Sequence, residues 1–170
     1  MALITPPSEI EYPTPAGRAF AWIHALEVEP NDEQDCYAAA SALALVLSND
    51  EQSKALIEIL TDACVGTLLT LRCTTEDCGC DGRFRLGGGF YNRATGRIDS
   101  AEVAFEVEPV LVAVTQAVDA AARAQSAEVE AWMGRLDPDT PTADVIATFR
   151  RIYQQLLALQ IRQGQERNRS

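Results

Sequence analysis

The strongest constraint on this chain is a change of period near Gly66. Before it, and again beyond about residue 108, apolar residues recur every three or four positions. Between 66 and 96 the chain carries seven of its ten glycines, and its apolar residues alternate with period two. Helical segments on either side of a glycine-rich run of short strands predict an α+β fold. It has N-terminal helices, a small central antiparallel sheet with a Cys-rich loop, and two long C-terminal helices.

A chain of 170 residues with 47% hydrophobic side chains can bury a sizeable core, so one domain over 1–170 is expected. Residues 1–15 hold Pro6, Pro7, Pro13 and Pro15 and read as an extended arm. Helices follow over 16–27, with Ala19, Phe20, Ile23 and Leu26 on one face, and over 32–47 and 50–64. The second and third open on the same run, Asn-Asp-Glu-Gln, which places Asn31 and Asn49 as N-caps. Their apolar faces read as Cys36, Ala40, Leu43 and Leu47, then Leu56, Ile59, Leu60 and Ala63, which makes Cys36 and Cys64 small buried hydrophobes. Strands are expected at 67–72, 82–86, 90–93 and 102–108, the last with Val103, Phe105 and Val107 facing inward. Pro109 opens a helix to about residue 136, and a last helix spans 142–163 ahead of a polar tail, 164–170. Its stripe runs through Val145, Phe149, Ile152, Leu156 and Leu159 and is wide enough for core packing; the alternative is a homodimer contact through the same helix.

With 25 acidic against 14 basic residues the net charge is −11. Such a surface repels phosphate, which argues against nucleic acid and anionic membranes and for a protein partner with a basic surface. The charge is uneven. Residues 1–65 carry two basic against eleven acidic side chains, whereas 66–100 carry five against four, so the exclusion applies to the helices and leaves the sheet open. No apolar stretch approaches the roughly 20 residues of a spanning helix, and the N-terminal sequence has no secretory pattern, so a cytoplasmic location is expected. Arginine supplies 13 of the 14 basic residues, with Lys54 the other, as in proteins from GC-rich bacterial or phage DNA.

Two segments carry chemistry. Cys73, Cys78 and Cys80 fall within eight residues around Gly79, and thiolates on a tight turn can supply part of a tetrahedral zinc site, with Cys64, Cys36 or His24 as the fourth ligand. The spacing lacks paired Cys-x-x-Cys knuckles, so a redox pair and thiols without special role stand beside zinc. The second segment alternates arginine with aromatics: Arg83, Arg85, Phe90, Tyr91 and Arg93 are candidates for an anion or nucleotide site, flanked by Arg72 and Arg97. In the competing structural reading Phe84, Leu86 and Phe90 face the core, Arg83 and Arg85 face water, and Gly87, Gly88 and Gly89 turn a hairpin. The glycine triple lacks the Lys-Ser/Thr of a phosphate loop.

Catalytic motifs are scarce. His24 is the single histidine, and no Gly-x-Ser-x-Gly occurs. The expected function is therefore a non-catalytic protein–protein interaction module of the adaptor, chaperone or inhibitor type, with an acidic helical surface. A zinc-stabilised or redox-sensitive regulator using Cys73, Cys78 and Cys80 is the alternative, and an enzyme without a readable motif the further one.

Overall fold

The computed structural model describes residues 12–28, 32–71 and 82–169. The chain divides into two compact units, 1–60 and 61–170. Among the described residues there are seven helices and one three-stranded antiparallel sheet, an α+β fold with a long C-terminal helix.

The first unit contains α1 (Pro15–Val28), α2 (Glu33–Leu47) and the start of α3 (Asp50–Leu71). Thr14 caps α1, its hydroxyl oxygen accepting the Gly17 amide at 3.1 Å, and Pro15 fills the first helical position, where no amide is needed. The Ala16 amide of that first turn donates to Gln52 Oε1 at 3.1 Å. The repeated Asn-Asp-Glu-Gln run acts in two ways. At α3 Asn49 accepts the Gln52 amide as expected, but at α2 the cap is Asp32, which accepts the Asp35 amide at 2.9 Å; Asn31 lies outside the described residues. α1 packs on α2, with Trp22 and Ala39 at the centre and Ala25, Leu26, Ala38 and Ala42 around them. Phe20 is only half-buried. On α2 the buried positions are Ala39 and Val46, while Cys36 and Ala40, expected inside, are exposed. From Cys36 to Leu47 the helix has no charged residue, so periodicity alone does not choose the face that meets Trp22.

The second unit contains the rest of α3, then β1 (Arg83–Leu86), β2 (Gly89–Asn92), β3 (Arg97–Asp99), α4 (Glu102–Val107), α5 (Pro109–Ala122), α6 (Ser126–Gly134) and α7 (Thr142–Arg169). Three expected elements differ. Residues 67–71 continue α3 instead of forming a strand: Leu56, Leu60, Cys64, Leu68 and Leu71 make one buried stripe, and Gly66 sits exposed on the other side, where it interrupts nothing. Residues 102–107 are helical, because over so short a run Glu-Val-Ala-Phe-Glu-Val also fits a helical turn, and Phe105 lies beside the Trp132 ring, 6.2 Å between centroids. The helix expected over 109–136 breaks at Arg123–Gln125, where Ala124 adopts φ +56°.

α5 is the centre of this unit: every residue from Leu111 to Ala120 is buried, and α4, α6, α7 and β3 all pack on it. On α7, Val145, Ile146, Phe149, Ile152, Tyr153, Leu156 and Leu157 are buried, which is core packing within the chain. Leu159 is half-buried and Ile161 exposed. None of the described helices is long and apolar enough to cross a membrane.

The sheet order is β1-β2-β3. Arg83 pairs with Asn92, Phe84 with Tyr91, Arg85 with Phe90, and Leu86 with Gly89; across the second pair Phe90 faces Asp99, Tyr91 faces Ile98 and Asn92 faces Arg97.

Candidate functional site

Strand alternation gives the small sheet two unlike faces. The inner one carries Phe84, Leu86, Tyr91 and Ile98; the last three are buried, and the rings of Phe84 and Tyr91 lie 5.1 Å apart. The outer one carries two rows of three cross-strand neighbours: Arg85, Phe90 and Asp99, then Arg83, Asn92 and Arg97. Phe90, in the middle of its row, is 55% exposed. Arg83, Arg85, Arg97 and Asp99 are exposed as well.

Of the five sequence-derived anion-site residues, the fold therefore brings three together on one face, Arg83, Arg85 and Phe90. Tyr91 and Arg93 are elsewhere. Tyr91 points inward, because one residue along a strand reverses the face. Arg93 follows the strand and donates from Nε to the Leu71 carbonyl at 2.9 Å, satisfying an end group of α3. Phe90 corrects the structural reading in the same way: the core residue of β2 is Tyr91, and Phe90 faces solvent beside Arg85.

The sheet is held from behind by polar side chains of α5 and α7. Thr115 Oγ1 accepts the Gly88 amide at 2.9 Å and donates to the Leu111 carbonyl at 2.6 Å, while Gln155 Oε1 accepts the Gly87 amide at 2.9 Å. Both amides that a phosphate loop would offer are thus engaged inside the protein. Gly87 has φ +56°, and a Cβ there would lie 2.3 Å from Thr115 Oγ1 and 3.2 Å from Ile152. The triple glycine permits close approach of the β1–β2 turn to the helices.

Asp119 is the most deeply buried charged group among the described residues, 1% exposed. Its Oδ1 accepts the Ile98 amide at 2.8 Å and lies 3.6 Å from Arg97 Nε. Its Oδ2 receives Arg123 through Nε at 3.2 Å and Nη2 at 3.0 Å, and Arg123 reaches on to Glu128. Gln116 donates to the Ile98 carbonyl at 3.0 Å and to Ser100 Oγ at 2.8 Å. Sequence reasoning passed over Thr115, Gln116 and Asp119. Their signal was present: three polar residues within five positions of a helix that is otherwise apolar from Val110 to Ala122.

Of the proposed zinc ligands, Cys73, Cys78 and Cys80 lie outside the described residues. Cys64 is sealed in the core, its thiol 3.9 Å from the Phe149 carbonyl, and burial pushes its pKa up to about 12. Such a thiol stays protonated and inaccessible at neutral pH, so the small-hydrophobe reading holds for Cys64. For Cys36, on the exposed side of α2, it fails. His24 is exposed, with its ring 6.3 Å from that of Phe20. Among the described residues no three His, Cys, Asp or Glu side chains converge on a common point. Comparison with protein-family models, with curated proteins and with solved structures finds no match.

Proposed function

We propose that this protein is a non-catalytic protein–protein interaction module whose binding surface is the outer face of α2, and that its partner presents an apolar ridge flanked by basic residues. The observation that carries the reading is the exposure of Tyr37, at 76%, and of Leu45, at 55%, on one helix. Ala40, Ser41 and Ala44 lie exposed between them. No charge interrupts the helix from Cys36 to Leu47, so the strip is uncharged and mostly apolar, with Ser41 its polar member and a large side chain near each end.

Its two ends are acidic. Asp32, Glu33 and Asp35 surround the start of α2, and Asp50 and Glu51 stand just past its end. Tyrosine at the edge of an apolar strip is a frequent anchor, since it buries a large ring and keeps its hydroxyl in water. A basic amphipathic segment meets both requirements: apolar side chains for the strip, and lysine or arginine for the ends.

The test is capture by the wild-type chain and by a Tyr37→Ala/Leu45→Ala variant as paired baits, followed by identification and purification of what only the wild type retains. The purified partner should bind the wild type, lose at least tenfold in affinity with the variant, and weaken as salt rises. Equal capture by both baits, or binding indifferent to salt, rejects the reading.

A further inference from the structure

We propose that the outer face of the sheet binds single-stranded nucleic acid, with a base stacked on Phe90 and backbone phosphates on Arg83, Arg85 and Arg97. This surface belongs to the second unit and is independent of α2.

Phe90 stands on the central strand, yet the residue is 55% exposed, while the neighbouring Tyr91 supplies the core contact of that strand. A large apolar ring left in water adds little to folding, but it is a platform for any planar partner. The register surrounds it with cations. Arg85 is directly across from Phe90, and Arg83 and Arg97 flank Asn92 in the adjoining row. Residues two apart on a strand are about 7 Å apart, a step that an extended phosphodiester backbone can follow. Arg97 keeps 47% of its side chain exposed even though its Nε pairs with Asp119.

Asp99 is the acidic group on this face, in register with Phe90 on the side away from Arg85. A carboxylate there repels phosphate but can accept a hydrogen bond from the exocyclic amine of a stacked cytosine. The face is a flat array of exposed side chains, which suits a strand laid across it better than a small molecule that needs walls. An acidic peptide would be held by the arginines alone and would leave Phe90 without a role. Because the chain as a whole carries −11, attraction is confined to the sheet and is strongest at low salt.

The experiment is fluorescence anisotropy of a labelled deoxycytidine dodecamer with the full chain at about 50 mM salt, with polyglutamate as competitor. Phe90→Leu should weaken binding about tenfold, Phe90→Trp should preserve it, and Arg83→Gln/Arg85→Gln should weaken it at least as much as Phe90→Leu. Arg151→Gln, on the exposed side of α7, should leave it unchanged. Circular dichroism confirms that each variant is folded. With three phosphate contacts, log K should fall against log salt with a slope of about −2. No binding at low salt, full binding by folded Phe90→Leu, or displacement by polyglutamate as effective as by unlabelled oligonucleotide overturns the proposal; the last two outcomes would assign the face to polyanions in general.

Discussion

Asp119 on α5 accepts the main-chain amide of Ile98 on β3 at 2.8 Å, and Gln116, nearly one turn earlier, donates to the carbonyl of the same residue at 3.0 Å. Two helix side chains thus complete the hydrogen bonds that a fourth strand would make, and the edge of β3 is closed without one. The arrangement also explains why a carboxylate can be so deeply buried: it meets an amide and two guanidinium groups at once.

Removing that carboxylate should therefore unseat the sheet. Asp119→Ala leaves the buried Ile98 amide without its acceptor and Arg123 with Glu128 alone, and should cost about 3–5 kcal/mol in urea denaturation. Asp119→Asn keeps an acceptor for Ile98 and should cost clearly less. Equal, small losses for both variants would show that the edge is held by packing alone.

Glycine substitutions separate two roles of the same residue type. Gly87→Ala places a methyl against Thr115 at a positive φ and should destabilise by about 2 kcal/mol or more. Gly66→Ala lies on the exposed side of α3 with open space around it and should stabilise by up to about 1 kcal/mol. Thermal or chemical unfolding of the two variants should move in opposite directions.

What could be read from the sequence follows from the range of the interaction concerned. The helices with a single apolar face, α3 and α7, and the β1–β2 hairpin follow from local spacing and turn residues. Gly66 and the glycine-rich run after it suggest that α3 ends near residue 64, but Leu60, Cys64, Leu68 and Leu71 carry the helical stripe past that glycine. α4 is not legible locally, because alternation over seven residues fits a strand and a helical turn alike, and the contact that favours helix, Phe105 with Trp132, spans 27 positions. β3 is only three residues long and is fixed by Gln116 and Asp119, which no local pattern connects to it. The arginine–aromatic site was legible in part: alternation grouped Arg83 with Arg85, but the register across the hairpin was needed to choose Phe90 over Tyr91.

Two exposed acid–arginine pairs give a pH prediction. Arg135 hydrogen-bonds Glu102 at 3.0 Å while lying over the rings of Phe105 and Trp132, and Arg123 likewise holds Glu128. The hydrogen bond to arginine, reinforced by its charge, draws each carboxyl below the usual glutamate range. A depressed folded-state pKa means that the contribution of each pair is complete above the ordinary glutamate pKa and is lost as pH falls through the lowered value. Carboxyl-carbon NMR should show Glu102 and Glu128 titrating below the usual glutamate range, and Arg135→Gln should return Glu102 alone to that range. An unmoved Glu102 in that variant would contradict the assignment.

The two cysteines on α2 and α3 should differ in reactivity by their burial. In a variant with Cys73, Cys78 and Cys80 changed to serine, one thiol, Cys36, should react with Ellman's reagent in the native protein, and Cys64 should react only on unfolding. Burial raises the Cys64 pKa to about 12, so the native state holds its proton more tightly than the unfolded chain. The stability this confers is complete below the ordinary thiol pKa and is lost as pH rises towards 12. Cys64→Ala should flatten that alkaline decline relative to the parent variant, although it opens a small cavity beside Phe149 and lowers stability at neutral pH. Rapid labelling of two native thiols, or an alkaline profile unchanged by Cys64→Ala, would show that the core opens at α3 far more readily than its packing implies.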